Sequence, residues 1–520
     1  MSKNKSKNQA KVRPYAVMCT DLYLLWILAV YPLYYADGYF HLPEKKATFW
    51  CVSTLIYLGV TLFGVIITAF SDRELWTLEN FKKNISMTDI FMFGFLVSNL
   101  IAFALSEDKV NAWTGASSRY YGAKVLILVC LVYFFVSRYA WVNKVFIWAF
   151  LIGGNGVCLL ATLDYFWLDV LGINQQMIEA DWYLFISTMG NANTCASFCC
   201  MAITVAIVYY CVSDNLKDKI IAGISIVNCS VTLVTARSDS ASVGVAGVCV
   251  ILVILMLNKT LKWRNVLQSF LILTVGLLAF TRVREYFAPS IQAHRWYDSG
   301  IPRAIWYYWT IWCITLFILV VLYLAMIAIE KKGLKIAKVE KWAFRIIGGI
   351  VVLVVIGFIG EKIHVIQLFK DSMGNGSIQV AGNRIYTYGR VAQAFGKVPF
   401  INKLFGNGQA SLTSVLNTYF GDELLTLGIS INSAHNHILD YLIIGGIFGV
   451  LCYLGLVINS FISGFKLVKK NVWTLLPLCV VLAYFTQGIF NIDQTITTVF
   501  FWLGIAIIEA MNRNNKLLKN

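Results

Sequence analysis

Charged side chains are scarce in this sequence. They make up 13% of the 520 residues, whereas hydrophobic residues make up 58%. A soluble globular protein carries about 25% charged residues, so the composition excludes an ordinary water-soluble domain. Apolar runs of about 20 residues, the length that crosses a bilayer core of roughly 30 Å, recur from one end of the chain to the other. The sequence therefore predicts an integral membrane protein with many spans.

Two kinds of functional motif are also missing. The thirteen cysteines lie within or at the edges of the apolar runs, so no connection holds a pair suited to a disulfide framework or a zinc ribbon. We expect these thiols to act as small packing residues between helices. No Gly-x-x-x-x-Gly-Lys pattern occurs, which argues against an ATP-driven pump.

The apolar runs predict an all-α, polytopic transmembrane helical bundle. Backbone amides inside a bilayer have no water to bind, so each span must be a helix. About fourteen runs have the required length. They lie near 18–36, 48–70, 88–106, 123–137, 145–163, 194–212, 220–236, 239–257, 265–281, 304–329, 344–361, 437–463, 472–490 and 494–511.

Lysine and arginine predict the orientation of the bundle. The segment before the first span is basic, and every second connection after it is basic as well. Because these residues accumulate in cytoplasmic loops, we expect both termini in the cytoplasm. The net charge of +16 then reflects topology and attraction to anionic lipids, and nucleic acid is not an expected partner.

Three connections on the opposite, outer side are long: 164–193, 282–303 and 362–436. Long connections in compact proteins are usually functional or disordered, and the aromatic residues and glycines of 362–436 favour short ordered helices. The predicted organisation is eleven spans in 1–361, a long outer loop in 362–436 that carries site residues, and three spans with a cytoplasmic tail in 437–520.

A pair of histidines stands where the long loop re-enters the membrane. His435 and His437 precede an apolar run that contains Gly446 and Gly449. At helical spacing these two glycines form a small-residue face that allows a neighbouring helix to approach. An imidazole at the water boundary is suited to act as a general base. A metal site with Asp440 is an alternative, but positions 435 and 437 do not share one face of a helix, and no metal is predicted.

Several short motifs along the chain resemble those of a known family. They are His435, Asn436, Gly446 and Gly449; Tyr388, Gly389, Arg390, Pro399, Gly406, Asn407 and Gly408; Gly190, Asn191, Ala192 and Asn193; Ala236, Arg237 and Ser238; and Arg119 with Gly122. In the order in which they occur along the chain, these motifs resemble the signature of the O-antigen ligase and O-antigen polymerase superfamily of bacterial envelope glycosyltransferases. Ala192 and Ala236 depart from the family pattern, and His437 is an additional histidine.

The resemblance implies a GT-C-like fold in the bacterial cytoplasmic membrane and a metal-independent glycosyltransferase without a cofactor. The donor would be a glycan linked to undecaprenyl diphosphate, and the acceptor another glycan, a lipid or a protein. A flippase and a chain-length regulator are further partners that the resemblance suggests. Polymerase and ligase are not distinguished.

The resemblance also implies roles for individual residues. Arg237 and Arg390 would bind the diphosphate, because a guanidinium pairs with two phosphate oxygens and stays protonated. His435 would orient or deprotonate the acceptor hydroxyl, although the choice between His435 and His437 stays open. Accessory candidates are Arg119, Arg303, Arg384, Asn436 and His437.

A second hypothesis is a flippase or transporter that moves a lipid-linked oligosaccharide without chemistry. Fourteen spans and a cationic outer cavity would suit such a carrier. Carriers are commonly built from internal repeats with broken helices at matching positions. The sequence shows no such self-similarity, which favours the transferase.

Overall fold

The computed structural model describes residues 15–71, 85–166, 168–172, 175, 177, 185–236, 238–291, 309–331 and 384–513. Three predictions lie outside these residues: the span at 344–361 and the side chains of Arg237 and Arg303.

Over the described residues the chain is helical apart from one short ladder. The first helices are α1 Tyr15–Leu33, α2 Gly38–Ser71, α3 Met87–Leu105, α4 Lys109–Thr114, α5 Ala123–Tyr139 and α6 Lys144–Tyr165. The strands β1 Phe185–Ile186 and β2 Gly190–Asn191 pair antiparallel. There follow α7 Ala192–Val212, α8 Leu216–Thr235, α9 Asp239–Leu257, α10 Trp263–Ile291 and α11 Trp309–Lys331. The last are α12 Arg384–Lys397, α13 Phe400–Phe405, α14 Leu412–Thr426, α15 His437–Val468, α16 Leu475–Gly488 and α17 Thr495–Arg513.

Eleven of the described helices are long and apolar enough to cross a membrane, namely α1, α2, α3, α6, α7, α8, α9, α10, α11, α15 and α17. Two further helices, α5 and α16, coincide with predicted spans but are shorter, and α5 has 17 residues. The prediction of a polytopic helical bundle is therefore confirmed over the described residues. The total of fourteen spans and the GT-C-like arrangement stay predictions.

Polar side chains mark where many of these helices begin. The first amides of a helix have no partner within the helix, so an oxygen just before it stabilises the start. An asparagine oxygen accepts a hydrogen bond from the first turn of α6, α7, α8 and α15, and Ser86 forms a reciprocal capping box with Asp89 at α3. These caps fix the residue at which each of these helices begins.

The helices α7 and α17 lie at the centre of the bundle. The span of each is 89% buried, whereas the span of α11 is 0% buried among the described residues. α7 packs against α6, α8, α9 and α16. Small side chains permit this close packing, and Cys195, Cys199 and Cys200 on α7 are all buried. Nine of the thirteen cysteines are buried and all thirteen are free thiols, in agreement with the predicted packing role.

The two ends of the bundle differ in the residues that they contain. We call the end that holds the connections 140–143, 213–215, 258–262 and 469–471 the basic end, and the other the site end. At the basic end Asp89 pairs with Arg138 and Arg513, at 3.1 and 2.5 Å. At the site end the amide of Thr495 donates to the carbonyl of Arg119, at 3.2 Å. The chain therefore runs back and forth, and which end faces the cytoplasm stays a prediction.

A buried lysine fixes the site end of α1. The last turn of α1 is a 3-10 turn that contains Pro32. The Lys46 ammonium donates to the carbonyls of Tyr31 and Pro32, at 3.2 and 2.8 Å. A cation suits the partial negative charge at a helix C-terminus. The hydroxyl of Thr188 donates to the same Pro32 carbonyl at 2.7 Å, which joins the β1–β2 segment to α1.

The predicted regular helix after His437 is broken. Gly446 has φ 65° and ψ −168°, a conformation essentially restricted to glycine. A Cβ at this position would lie 2.5 Å from the carbonyl of Leu404, which belongs to α13. A neighbouring helix therefore does approach Gly446 closely, although the break replaces the regular helical spacing that the sequence predicts. Gly449 also approaches a helix, since its Cβ would lie 2.7 Å from Ser98 of α3.

The break in α15 is closed by the Gly-x-Gly element that the sequence singled out. The amides of Asn407 and Gly408 donate to the carbonyls of Ile443 and Ile444, at 2.9 and 3.1 Å. These carbonyls would otherwise lack partners where the helix is interrupted. The described part of the long loop is thereby attached to a membrane helix about two turns after His437.

Candidate functional site

His435 lies directly before α15, in a segment held by the first turn of that helix. The Asp440 carboxylate accepts hydrogen bonds from the Ser433 hydroxyl and the Ala434 amide, at 2.8 and 2.9 Å. The Ser433 oxygen in turn accepts from the His435 amide at 2.9 Å. His435 has φ 51°, in the left-handed region that histidine adopts more readily than most residues. Its backbone is therefore fixed by several contacts.

The predicted accessory residue Asn436 caps α15. Its side-chain oxygen accepts from the amides of Ile438 and Leu439, at 3.0 and 3.1 Å. This role explains an asparagine at this position without any contact to a substrate. The cap also fixes the point at which the chain turns from His435 into the helix.

The imidazole of His435 is half-buried and electrically neutral at pH 7. Burial, together with the positive charges of Arg384 and Arg119, lowers its pKa to about 4. Within the described part of the chain no side-chain hydrogen bond of this ring occurs. A neutral imidazole with a free nitrogen can accept a proton.

Arg119 lies beside His435 in the connection between α4 and α5. Its guanidinium donates to the side-chain oxygen of Asn432 at 2.7 Å. Burial lowers its pKa, and the carboxylates of Asp440 and Asp493 oppose this shift. Its Nε is buried and has no partner among the described residues. A guanidinium with donor capacity to spare thus lies near the imidazole.

One face of α12 also reaches His435. The Tyr388 hydroxyl lies 3.4 Å from the carbonyl of His435 and 3.4 Å from that of Ile489. Arg384 stands four residues before Tyr388, on the same side of the helix. Arg384 is exposed, and its charge contributes to the low pKa of His435. α12 therefore places a second arginine at this site.

Arg390 points elsewhere. Two residues correspond to about 200° around a helix, so Arg390 and Tyr388 lie on opposite sides of α12. Arg390 forms an ion pair with Glu423 of α14, and its guanidinium lies 5.1 and 5.0 Å from the ring centroids of Tyr386 and Phe420. None of these contacts involves His435, so the described contacts do not place Arg390 and His435 in one site. The predicted role of Arg390 in diphosphate binding stays a prediction.

His437 is buried inside the bundle, with 0% of its surface exposed. Its ring centroid lies 5.5 Å from that of Tyr453 and 5.0 Å from that of Phe485. A Cβ on Gly488 would lie 2.3 Å from its Nδ1, so the ring fills space that a glycine leaves open. Among the described residues no group of three His, Cys, Asp or Glu side chains could hold a metal ion.

Sequence reasoning missed the connection between α16 and α17. Burial raises the pKa of Asp493 to about 6, and the Tyr484 hydroxyl donates to its carboxylate at 2.9 Å. The Asn491 amide lies 3.3 Å from the carbonyl of Asn193 and 3.4 Å from the hydroxyl of Ser240. The signal was a cluster of four polar residues within 491–495, Asn491, Asp493, Gln494 and Thr495, between two apolar helices.

This connection brings together motifs that are far apart in the sequence. It contacts the Gly-Asn-x-Asn element through Asn193, the segment after Arg237 through Ser240, the long loop through Tyr388, and the connection that carries Arg119.

No protein-family model matches the sequence, and no curated protein is significantly similar to it. The resemblance to the O-antigen ligase and polymerase superfamily therefore rests on the short motifs alone and stays a prediction.

Taken together, these residues place a half-buried imidazole near two guanidinium groups. His435 supplies the neutral imidazole, and Arg119 and Arg384 supply positive charge. The buried carboxylates of Asp440 and Asp493 interact favourably with the positive charge of Arg119. Such an arrangement is suited to remove a proton from a hydroxyl while a negative charge develops nearby.

Proposed function

We propose that this protein is a metal-independent membrane glycosyltransferase of the O-antigen ligase and polymerase type. It transfers or polymerises a glycan from an undecaprenyl-diphosphate-linked donor on the outer face of the cytoplasmic membrane, in the assembly of a surface polysaccharide. The observation that carries the proposal is the neutral imidazole of His435 beside the charges of Arg119 and Arg384, at the end of a membrane bundle.

The chemistry divides between the imidazole and the arginines. The acceptor hydroxyl attacks the anomeric carbon of the donor sugar, and its proton passes to His435. The bond between this carbon and the diphosphate oxygen breaks, and the diphosphate leaves with increased negative charge. Guanidinium groups stabilise that charge through paired hydrogen bonds. No cofactor is required for these steps.

The arginines can be ranked as diphosphate-binding candidates by whether their charge acts on His435. Arg119 and Arg384 are the arginines whose charge acts on His435, so we assign the diphosphate to them first. Arg237 keeps its predicted role and Arg303 its accessory one, and both lie outside the described residues. Arg390 ranks lower because its contacts, with Glu423 and with the rings of Tyr386 and Phe420, do not involve His435.

The test is to delete the gene and analyse the surface glycan and the carrier lipid by gel electrophoresis and mass spectrometry. Single repeat units that remain on the carrier would identify a polymerase. Full-length chains stranded on the carrier would identify a ligase. Unchanged glycan and carrier lipid would exclude both activities.

A lipid-linked oligosaccharide flippase is the second candidate. The observation that favours it is the break in α15 at Gly446, since interrupted membrane helices are common in carriers. Proteoliposomes that contain the purified protein, a lipid-linked donor and an acceptor distinguish the two. A transferase forms a new glycan on the acceptor, whereas a carrier moves the donor between leaflets and leaves it unchanged.

A further inference from the structure

A polar pocket lies at the basic end of the bundle, at the opposite end of α15 from His435. It has a cavity volume of about 300 Å³ and lies between the last turns of α15 and the end of α17. Its polar lining consists of Asn459, Ser463, Lys466, Lys470 and Asn512. This volume is at the lower end of the range found for small-molecule sites.

Three of the polar residues form one stripe on α15. Asn459, Ser463 and Lys466 follow each other at intervals of four and three residues, which places them on one side of the helix, and Lys470 lines the same pocket from the turn directly after it. A lysine at the end of a membrane helix can extend its long side chain to the interface. Asparagine and serine side chains are too short to reach the interface. These polar side chains therefore need a hydrogen-bonding partner within the pocket itself.

The groups behind the pocket leave it positively charged. The Asn459 amide donates to the Thr88 hydroxyl at 2.8 Å, and Thr88 donates to the Glu509 carboxylate at 3.1 Å. Arg513 lies 3.2 Å from Glu509 and also pairs with Asp89, which Arg138 contacts as well. The two carboxylates are therefore neutralised by arginines.

The lysines have no comparable counter-charge. Neither Lys466 nor Lys470 forms an ion pair with an acidic residue in the part of the chain that the structure describes. Both are exposed at the end of α15. Two ammonium groups, two amides and a hydroxyl around one cavity are the donors that a phosphate group needs.

We propose that this pocket binds the phosphate headgroup of an anionic glycerophospholipid. The adjoining surface of α15 favours a lipid over a soluble anion, because Ile458 and Ile462 are 54% and 49% exposed beside the polar stripe. Acyl chains can pack along these side chains while the phosphate lies against Lys466 and Lys470. The site is independent of the transferase proposal and lies at the other end of the molecule.

The experiment uses the purified full-length protein in detergent and native mass spectrometry. Dioleoylphosphatidylglycerol is the anionic probe, and dioleoylphosphatidylcholine is the neutral one. The variant Lys466→Glu/Lys470→Glu should bind the anionic lipid at least about tenfold more weakly than the wild type, since basic residues near a membrane surface contribute strongly to such binding. Lys469→Glu is the matched control, because Lys469 is exposed on the same helix end but does not line the pocket.

Three outcomes would overturn the proposal. They are an equal loss of binding in Lys469→Glu, equal retention of both lipids by the wild type, and displacement of the anionic lipid by millimolar inorganic phosphate, which would indicate a soluble anion site. If the double Glu variant does not fold, Lys466→Gln/Lys470→Gln replaces it and should still weaken phosphatidylglycerol binding. Unchanged binding in that variant would also overturn the proposal.

Discussion

His435 and His437 are two residues apart, yet their side chains have different surroundings. The left-handed backbone at His435 turns the chain immediately before the Asn436 cap. His437 is then the first residue of α15 and lies among aromatic rings inside the bundle. His435 is half-buried at the end of the bundle, whereas His437 is fully buried. The additional histidine that departs from the family pattern therefore has a packing explanation.

Replacement of each histidine separates these roles. We expect His435→Ala to lower transferase turnover about a hundredfold or more, the scale typical of a lost general base. His437→Ala should lower thermal stability because it leaves a cavity, with a smaller loss of turnover. The measurements are glycan product formation and thermal unfolding of the detergent-purified proteins. Equal losses of turnover at both positions would bring the metal alternative back.

The pH dependence of turnover tests the neutral state of His435. A base works in its unprotonated form, so a pKa of about 4 keeps the imidazole active down to mildly acidic pH. Turnover should therefore fall only near pH 4, rather than near the ordinary histidine value of 6.5. Arg119→Gln removes one positive charge and should shift this acid limb to higher pH. An acid limb near 6.5 in the wild type would contradict the assigned environment.

At the scale of elements, the interruption of α15 defines how the long loop is attached. Asn407 and Gly408 bind the carbonyls that the break leaves open, and Ser98 of α3 donates to the Gly445 carbonyl at 3.3 Å. The helices α12 to α14 are fixed to the membrane bundle through this junction and through Tyr388. A loop attached in this way can hold Arg384 in a constant position relative to His435.

Gly446→Ala tests the junction. The substitution places a Cβ in a backbone conformation reserved for glycine and 2.5 Å from Leu404, so we expect a loss of at least about 2 kcal/mol of stability. Gly59→Ala is the control, because its Cβ would meet nothing within 4 Å in a regular helix. Thermal unfolding in detergent measures both. Similar stability of the two variants would mean that residue 446 does not need the glycine-specific backbone conformation.

The ion pair between α12 and α14 provides a second test at this scale. If Arg390 acts through Glu423, then Arg390→Gln and Glu423→Gln should lower turnover and stability by similar amounts. This is the result we expect, because the pair joins two elements of the site-bearing loop. Turnover and unfolding temperature are measured side by side. A large loss of turnover in Arg390→Gln alone would instead support the sequence prediction that Arg390 binds the diphosphate.

At the scale of the whole molecule, the site is assembled from distant parts of the chain. Thr495 contacts Arg119, and Asn491 contacts Asn193 and Ser240. The connection between α16 and α17 is the common neighbour of these segments. Because α7 lies at the centre and presents its first turn to this connection, the site is formed where the core of the bundle reaches one end.

The proposed transferase function requires that the site end faces the outside of the cell. Single cysteines introduced at positions 390 and 435 of a cysteine-free variant should react with a membrane-impermeant reagent added outside intact cells. A cysteine at position 217, at the basic end, should react only after the membrane is permeabilised. Labelling is read by mass shift on a gel. Protection of positions 390 and 435 from the outside reagent would place the site in the cytoplasm, where the proposed donor and acceptor do not meet.

The sequence by itself determined the membrane helices, the alternation of basic connections and the position of His435 before a span. These are local properties, since hydropathy over about 20 residues and the charge of each connection do not depend on distant contacts. Only the tertiary structure decided that Arg119 and Arg384 lie near His435 while Arg390 pairs with Glu423, that Asp493 belongs to the site, and that α15 breaks at Gly446. The physical reason is that neighbours across elements depend on how each helix is rotated and packed, which no local pattern specifies.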